Sequence, residues 1–552
     1  MTNSERPQWE VPTDTDLAAH RDVGTVLLGQ SYYLRFDPKL WAAMQPYPPL
    51  GTLYAASRLR RSGYAVALCD TMLAESEEEW EEALIRHQPR FAVLYEDSFN
   101  YLSKMCLLRM REAAFSMIEM ARRRDCTVIV CGADASDHAE QYLHAGAHFV
   151  LLGEGDDTLC ELLDRLTGRN PEPVGNVLGV AFLDDASAES RDRVRGEAPA
   201  SASVVRTPRR PVIRDLDALP FPAWDLLDVE RYRNAWRERH GFYSVNMVTT
   251  RGCPFHCNWC AKPIWGQRYN SRSPENVVGE MGWLRETLNP DHIWFVDDIF
   301  GLKPGWLREF ADRLDAAGLK IPFRCLSRAD LLHREGEVKA LRRAGCQMVW
   351  IGAESGSQRI LDAMDKGTTV EQIRNTARRL REAGLQVGFF LQFGYPGETR
   401  EDIEQTLSLV RESEPDDVGI SVSYPLPGTK FHESVQAQLG QKRNWVDSTD
   451  LAMMYQGPFS TDFYRQLHAV THREFRARRA WKELRPLMFR PSRWRRSHIR
   501  KAAAALYGAL SLPAARARLD WLGRSGGEGL APPRPMQPGE AASPSPQEGP
   551  GA

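Results

Sequence analysis

Short apolar runs of strand length alternate with amphipathic segments of helical period in the early part of the chain. The apolar runs are Val23–Gly29, Tyr64–Cys69, Phe91–Tyr95, Thr127–Cys131 and His148–Leu152. The helical segments between them are Leu50–Ser62, Glu77–His87, Lys104–Arg124 and Ser136–Ala145. Strands that alternate with helices predict a parallel sheet with helices on both faces. Residues 23–168 are therefore predicted to form a flavodoxin-like, doubly wound α/β domain, in which ligands bind beyond the carboxyl ends of the strands.

A second alternating pattern fills residues 243–435. Its predicted strands are Ser244–Thr250, His292–Asp297, Phe323–Leu326, Met348–Ala353, Val387–Phe393 and Gly419–Tyr424. Its predicted helices are Pro274–Thr287, Gly305–Ala317, Glu335–Ala344, Val370–Ala383 and Glu401–Glu412. Six such repeats predict a partial (β/α)6 barrel, and in barrels of this kind the chemistry lies at the carboxyl ends of the strands.

The remaining segments are predicted to be a flexible N-terminus (1–22), a connector (169–242), a helical C-terminal region (436–523) and a disordered tail (524–552). The connector contains a polar surface excursion over 184–203. It also contains Leu219–Asp225, in which two prolines preclude a regular helix. The tail is Gly, Pro, Ser and Ala with almost no large apolar side chains, so it cannot bury enough surface to offset its ordering entropy.

Composition narrows the class of protein. Lys and Arg total 71 against 73 Asp and Glu in 552 residues, a net charge of −2, which argues against a nucleic-acid partner recognised by bulk charge. No signal-peptide pattern and no transmembrane run of about 18 apolar residues is found, so a cytoplasmic protein is predicted. A local basic cluster is either a solvated helix face or a contact for an anionic partner or membrane surface: Arg490, Arg493, Arg495, Arg496, Arg500 and Lys501.

The strongest chemical signal is a cysteine-rich loop after the first barrel strand, Arg251-Gly252-Cys253-Pro254-Phe255-His256-Cys257-Asn258-Trp259-Cys260. Ten cysteines in a chain of this length are not a disulfide framework, and clustered thiolates are the usual ligands of iron–sulfur clusters. Three local thiols leave one iron of a cubane open to another ligand. A zinc site using His256 is the main alternative, but a compact zinc site would want a second ligand pair, and none follows.

This C-x3-C-x2-C loop at the head of a six-unit barrel resembles the radical S-adenosylmethionine (SAM) superfamily. The resemblance implies that Cys253, Cys257 and Cys260 are the catalytic, metal-ligating residues of a 4Fe-4S cluster. It implies that the open iron binds SAM and that a 5′-deoxyadenosyl radical abstracts hydrogen from the substrate. The aromatic residue before the third cysteine, Trp259, is then expected beside the adenine, and Phe255 is expected to help bind the cofactor.

Polar residues stand where the barrel pattern predicts a binding surface. Asp297 ends the second strand, Arg328 follows the third, Glu354 ends the fourth and Gln392 lies in the fifth. A carboxylate suits ribose hydroxyls or an amino group, and an arginine suits a carboxylate. Each residue alone is as well explained as a helix cap or a surface charge. By similarity to the family, Glu354 and Arg328 are the best candidates for SAM contacts.

The first domain extends the resemblance to the cobalamin-binding branch of the superfamily. The segments that carry it are Tyr47-Pro48-Pro49-Leu50-Gly51, Leu151-Leu152-Gly153-Glu154-Gly155-Asp156 and the Leu-Pro-Phe-Pro of the connector. Cobalamin is thus an implied cofactor, with Gly132, Ser136, Gly153 and Glu154 as predicted contacts. The Asp-x-His-x-x-Gly motif that supplies a cobalt-binding histidine in related domains is absent. A degenerate domain that only packs against the barrel is the alternative.

The resulting hypothesis is methylation of an unactivated carbon in a small molecule or natural-product intermediate. It implies an external one-electron reductant of the flavodoxin or ferredoxin type and no nucleic-acid partner. Alternatives are a non-methylating radical cyclisation or rearrangement, and a catalytically silent cobalamin or redox sensor. A methylthiotransferase acting on transfer RNA is less favoured, because it would want three further cysteines in the first domain and a C-terminal β-barrel.

Overall fold

A computed structural model describes residues 24–105, 107–184, 203–262, 264–440, 444–485 and 496–524. Several sequence predictions lie outside these residues. They are the flexible N-terminus, nearly all of the polar excursion, and the tail after Arg524. Within the basic cluster, Arg490, Arg493 and Arg495 also lie outside, and the side chains of Arg496, Arg500 and Lys501 are not described.

The first sheet has a parallel, doubly wound core. Its strands are β1 (Val26–Gly29), β2 (Val66–Cys69), β3 (Phe91–Tyr95), β4 (Thr127–Cys131), β5 (Phe149–Leu151), β6 (Val180–Leu183) and β7 (Val204–Arg206). The order is β2-β1-β3-β4-β5-β6-β7, with β1 to β5 parallel and the last two antiparallel. The strand order reverses between β1 and β3, which is where such folds bind ligands. The sequence did not predict β6 and β7, because both are short strands on either side of the polar excursion, and β7 lies at the edge of the sheet.

Eight helices accompany this sheet in the described residues. They are α1 (Pro38–Ala43), α2 (Leu50–Arg61), α3 (Glu78–His87), α4 (Tyr101–Met105), α5 (Leu108–Arg122), α6 (Ala133–Asp137), α7 (Ala139–His144) and α8 (Asp156–Leu166). The predicted helix Lys104–Arg124 is found as two helices, α4 and α5, and the predicted helix Ser136–Ala145 is found as α6 and α7. The core under them is closely packed: the fully buried Trp80 indole donates to the Met117 carbonyl at 3.0 Å.

The second sheet has six parallel strands in the order β15-β14-β13-β12-β11-β8 and does not close into a full barrel. These strands are β8 (Ser244–Met247), β11 (His292–Phe295), β12 (Phe323–Ser327), β13 (Cys346–Glu354), β14 (Gln386–Phe393) and β15 (Asp417–Val422). Two short antiparallel strands flank the cysteine loop, β9 (Thr250–Arg251) and β10 (Asn270–Ser271). The predicted first strand is therefore interrupted at residues 248–249.

The helices that surround this sheet begin with α9 (Val229–His240), which precedes it. They continue with α10 (Pro274–Thr287), α11 (Trp306–Ala316), α12 (Glu337–Arg343), α13 (Gln358–Ala363), α14 (Val370–Glu382), α15 (Arg400–Ser413) and α16 (Lys430–Val435). Threonine caps begin α14 and α15, each with a reciprocal capping box. The C-terminal region is helical as predicted and consists of α17 (Thr461–Leu484) and α18 (Arg496–Arg524).

The first sheet has hydrophobic clusters of its own, and a further cluster joins the two units by holding Leu53 and Phe99 of the first together with Val245 and Met247 of β8. Backbone carbonyls of the Tyr47-Pro48-Pro49 region reinforce the contact. Pro48 accepts from Asn246 Nδ2 at 2.9 Å, and Pro46 accepts from the Trp236 indole at 2.7 Å. The proline segment therefore seats the first unit against the head of the barrel.

Candidate active site

The cysteine loop leaves the carboxyl end of β8 and is anchored at its base by Asp297. This buried carboxylate accepts the backbone N–H of Thr249 and of Thr250, both at 2.7 Å, and also both threonine hydroxyls. Burial raises its pKa to about 6. These four hydrogen bonds let Asp297 hold the loop that carries the cysteines. Cofactor binding by Asp297 stays a prediction.

Cys253, Cys257 and Cys260 are partly exposed, whereas the other described cysteines are buried. Burial raises the pKa of Cys260 to about 12 and also raises that of Cys253. Cationic charge from a bound metal would be needed to hold these groups as thiolates. Among the described residues, no three His, Cys, Asp or Glu side chains converge on a point that could hold a single metal ion. A cubane differs from an ion in taking its thiolates at separate corners, and three accessible thiols on one loop fit that donor set.

Arg328 lies directly against the cysteine loop. Its guanidinium carbon is 3.6 Å from the centre of the Phe255 ring, and Nη1 is 3.9 Å from Cys257 Sγ. Nη2 donates to the Lys366 carbonyl at 2.7 Å, and Nε donates to Asp330 at 2.9 Å. The structure therefore brings the predicted residues Arg328 and Phe255 together beside one of the thiols.

Glu354 meets a residue that the sequence analysis missed. Lys366 Nζ donates to Glu354 Oε1 at 2.8 Å, with both side chains buried, and Nζ lies 5.9 Å from the centre of the Trp259 ring. Glu354 also has φ +56°, the left-handed region that a non-glycine residue rarely adopts. Such strain is concentrated at functional sites. Lys366 follows a helix rather than a strand, so the strand-end rule could not find it.

Asn258 fixes the last part of the cysteine loop. Its side chain donates to the Ala363 carbonyl at 2.7 Å and accepts from the Tyr395 hydroxyl at 2.9 Å. Its neighbour Trp259 packs against the apolar cluster that contains Met364 and Phe431. Gln392 lies apart from this group, with its amide donating to Ser423 at 3.0 Å. The roles of Trp259 and Gln392 stay predictions.

Three of the residues predicted to contact cobalamin serve the packing of the first unit's own loops. Ser136 Oγ accepts from the Gly153 N–H at 3.0 Å and donates to the Leu151 carbonyl at 3.3 Å. A Cβ on Gly132 would come within 2.8 Å of Glu96 Cβ, so only glycine allows that approach. All three lie at the carboxyl ends of β4 and β5, on the predicted edge.

Glu154 makes a different contact, across the boundary between the two sheets. It forms a buried ion pair with Arg251, the residue two before the first cysteine, at 2.5 Å. Arg251 also pairs with Asp156 at 3.0 Å, and the Tyr95 hydroxyl donates to Asp156 at 3.2 Å. The guanidinium is packed over the Tyr54 ring. This set (Arg251, Glu154, Asp156 and Tyr95) is called the Arg251 clamp below.

The switch point of the first sheet has a feature that suits a large polar cofactor. Gln30, directly after β1, is 1% exposed, and neither its amide nitrogen nor its amide oxygen has a hydrogen-bond partner among the described residues. Beside it Glu96 accepts the Ser31 N–H at 3.0 Å, and burial raises the pKa of that carboxyl to about 7. Cobalamin, with its carboxamide side chains, has the chemistry to satisfy such groups, so the residues present fit it.

Tyr101 and Lys104 on α4 connect the two halves of the site. Tyr101 is 50% exposed, yet surrounding protein raises its pKa, and Cys260 and Glu354 are among the charges that act on it. Lys104 pairs with Asp298 at 2.9 Å.

A separate groove of about 410 Å³ lies beside Gln386, at the opposite end of β14 from Gln392, and it includes none of the predicted site residues.

Comparison with known proteins defines the class. Residues 247–410 match the Radical SAM superfamily, so the chain carries a radical SAM domain, which implies a 4Fe-4S cluster and SAM. An uncharacterized methyltransferase of Pyrococcus horikoshii is 31% identical over 306 residues, 55% of this chain and 61% of the relative. The anaerobic magnesium-protoporphyrin IX monomethyl ester cyclase of Cereibacter sphaeroides is 27% identical over 294 residues, 52% of this chain and 45% of the relative. The chain thus spans between 45% and 61% of the length of these relatives.

A solved structure shares the whole architecture. The cobalamin-dependent SAM radical enzyme OxsB, with aqua-cobalamin and SAM bound, superposes with a TM-score of 0.63 at 17% identity, covering 94% of this chain and 76% of that chain. At this identity the match establishes the fold alone. The chain therefore resembles the radical SAM superfamily over residues 247–410, is similar over about half its length to a named methyltransferase and a cyclase, and shares the fold of OxsB. In the described residues no helix is long and apolar enough to cross a bilayer.

Proposed function

We propose that this chain is a radical SAM enzyme that uses a 4Fe-4S cluster, SAM and cobalamin to methylate an unactivated carbon of a small molecule. One observation carries the proposal: three accessible thiols stand on a loop that is clamped to the doubly wound unit. When bound, the cluster and SAM supply a 5′-deoxyadenosyl radical, and cobalamin supplies the methyl group. Support for methylation comes from the Pyrococcus horikoshii relative, and support for cobalamin comes from the OxsB fold and the unsatisfied Gln30.

The chain's own residues have distinct tasks in this proposal. Cys253, Cys257 and Cys260 hold the cluster. Arg328 and Lys366 place positive charge beside Cys257, where an anionic carboxylate of SAM would be attracted. Tyr101 is half exposed on α4, where the charges of Cys260 and Glu354 act on it, and in this proposal it contacts the substrate between the two units. An external one-electron reductant of the flavodoxin or ferredoxin type and a cytoplasmic location are part of the proposal.

The test is anaerobic purification with cobalamin supplied, reconstitution with iron and sulfide, and measurement of iron and cobalt per chain. Reductant and SAM should then yield 5′-deoxyadenosine even without substrate. Candidate substrates are screened by mass, and a methylated product should appear with equal amounts of 5′-deoxyadenosine and S-adenosylhomocysteine. Reconstituted protein with a full cluster that forms no 5′-deoxyadenosine would contradict the enzyme assignment, and iron without cobalt would contradict the cobalamin assignment.

A non-methylating cyclisation or rearrangement is the second candidate. It is favoured by the similarity to the anaerobic cyclase of Cereibacter sphaeroides. The same assay separates the two reactions, because a cyclisation forms no S-adenosylhomocysteine and adds no methyl mass to the product.

A further inference from the structure

One face of α18 exposes a row of large apolar side chains. Ile499, Leu506, Tyr507, Leu510 and Trp521 are each between 59% and 73% exposed. At about 100° per residue, Ile499, Leu506, Leu510 and Trp521 fall within one narrow sector of the helix, and Tyr507 borders it. These five residues are called the apolar stripe below. Contiguous exposed apolar surface of this kind marks an interaction site.

The apolar stripe is distinct from the side of α18 that packs against the protein, because that opposite side is already buried. Ala515 and Leu519 are buried, and the Ala515 carbonyl accepts from Gln466 of α17 at 2.8 Å. Arg516 pairs with Glu474 of α17 at 2.6 Å, which fixes the rotation of the helix. A helix that is apolar on both sides is stable only when both sides are covered. Some occupant therefore covers the apolar stripe.

The charge of α18 identifies the chemistry of that occupant. Its 29 residues contain six basic side chains (Arg496, Arg500, Lys501, Arg516, Arg518 and Arg524) and a single acidic one, Asp520, in a chain whose net charge is −2. Asp520 pairs with Arg400, and Arg518 and Arg524 are exposed. An apolar face with a Trp and a Tyr, bordered by arginines, is the composition of a helix that lies in the surface of an anionic bilayer.

Two other occupants fit less well. A second copy of α18 would set one basic border against another, which is repulsive. The chain's own segment after Arg524 offers only Leu530 and Met536 as large apolar side chains, too few to cover the row. We propose that α18 docks the protein on an anionic lipid surface, with the apolar stripe in the acyl boundary and Arg518 and Arg524 at the phosphates. This inference does not depend on the proposed reaction.

The test is flotation of the full chain with vesicles of phosphatidylcholine alone or mixed with phosphatidylglycerol. We expect binding to the anionic vesicles that weakens with salt and little binding to the neutral ones. Leu506→Asp and Leu510→Asp should each lower partitioning about tenfold or more. Ile85→Asp is the matched control, because Ile85 is an exposed apolar residue on α3 outside the stripe, and it should bind like the parent.

Insertion is checked separately by quenching with bromine-labelled lipids, where the quenching should fall in the Trp521→Phe variant. Circular dichroism of each variant should match the parent, since the altered side chains are exposed. Absence of binding to anionic vesicles, equal binding by Leu510→Asp, or equal binding to neutral vesicles would overturn the proposal. So would a dimer in light scattering that Leu510→Asp dissociates, because the occupant would then be a second copy.

Discussion

Replacing Arg251 by methionine should loosen the cysteine loop and destabilise the protein. The guanidinium is the sole cation in contact with two buried carboxylates within the Arg251 clamp, Glu154 and Asp156, and all three side chains are 4–5% exposed. Methionine keeps much of the volume but leaves both carboxylates without a counter-charge. Because Arg251 is two residues from Cys253, the strain falls on the loop that carries the predicted cluster ligands.

The expected loss of stability in Arg251→Met follows from the burial of the ion pairs. Removing one partner of a buried ion pair destabilises by about 3–5 kcal/mol. The Ile213 N–H still donates to Glu154 at 2.6 Å and the Tyr95 hydroxyl still donates to Asp156, so the lower end, about 3 kcal/mol, is expected. Burial raises the pKa of Glu154 above its ordinary value and Arg251 opposes that rise. A carboxyl with a raised folded pKa loses stability as pH rises from its ordinary pKa through the raised one, so the stability of the variant should fall over that interval and stay low above it.

The measurements are urea unfolding of the anaerobic apoprotein and iron per chain after reconstitution. Adding Glu154→Gln and Asp156→Asn to Arg251→Met should recover much of the stability, because no charge is then left unpaired. Arg378→Met is the control, since it breaks an exposed pair with Glu382 and should change stability by less than about 0.5 kcal/mol. A triple variant no more stable than Arg251→Met would refute this reasoning.

Three further predictions concern single sites. Serine at Cys253, Cys257 or Cys260 should abolish the absorbance of the reconstituted cluster, whereas serine at the buried Cys346 should leave it unchanged. Equal iron content in the loop variants and in the Cys346 variant would show that the loop cysteines are not the cluster ligands. Gln30→Met should stabilise the cobalamin-free protein by about 1–3 kcal/mol and lower its cobalamin content, as measured by melting and by cobalt analysis; unchanged values for both would refute it. Burial raises the pKa of Glu398 to about 8, so the folded state binds the extra proton and stability should fall by up to about 1.4 kcal/mol per pH unit between pH 5 and 8. Glu398→Gln should flatten that slope in urea titrations.

The sequence predicted the strands well where an apolar run is long and fully buried. The five parallel strands of the first sheet and the six of the second were found within a few residues of their predicted positions. Prediction was wrong where a distant residue decides the local structure. Val248 and Thr249 continue the apolar pattern of β8, but Asp297, 48 residues later, takes the Thr249 N–H and ends the strand. Edge strands such as β7, with three residues, carry too little pattern to be seen.

The candidate site was predictable to the extent that its residues are adjacent in sequence. The spacing of Cys253, Cys257 and Cys260 identified the loop, and strand ends identified Arg328 and Glu354. Lys366 was missed, because its significance depends on burial and on a partner that sequence alone does not place nearby. The strand-end pattern located Asp297 but not its hydrogen bonds to Thr249 and Thr250, since a buried carboxylate at a strand end can bind the protein's own backbone as well as a ligand.

The Arg251 clamp changes the interpretation of the segment Gly153-Glu154-Gly155-Asp156. The resemblance predicts Gly153 and Glu154 of this segment as cobalamin contacts, and in the structure both acidic side chains of the segment pair with Arg251. A Cβ on the glycine between them, Gly155, would collide with Cys131 Sγ and lie 3.0 Å from the Tyr95 ring, whose hydroxyl completes the clamp. The acidic loop of one unit and the arginine before the first cysteine of the other are thus two halves of one buried ion network. Burying either carboxylate without that arginine is costly, so docking of the two units and placement of the cysteine loop stabilise each other.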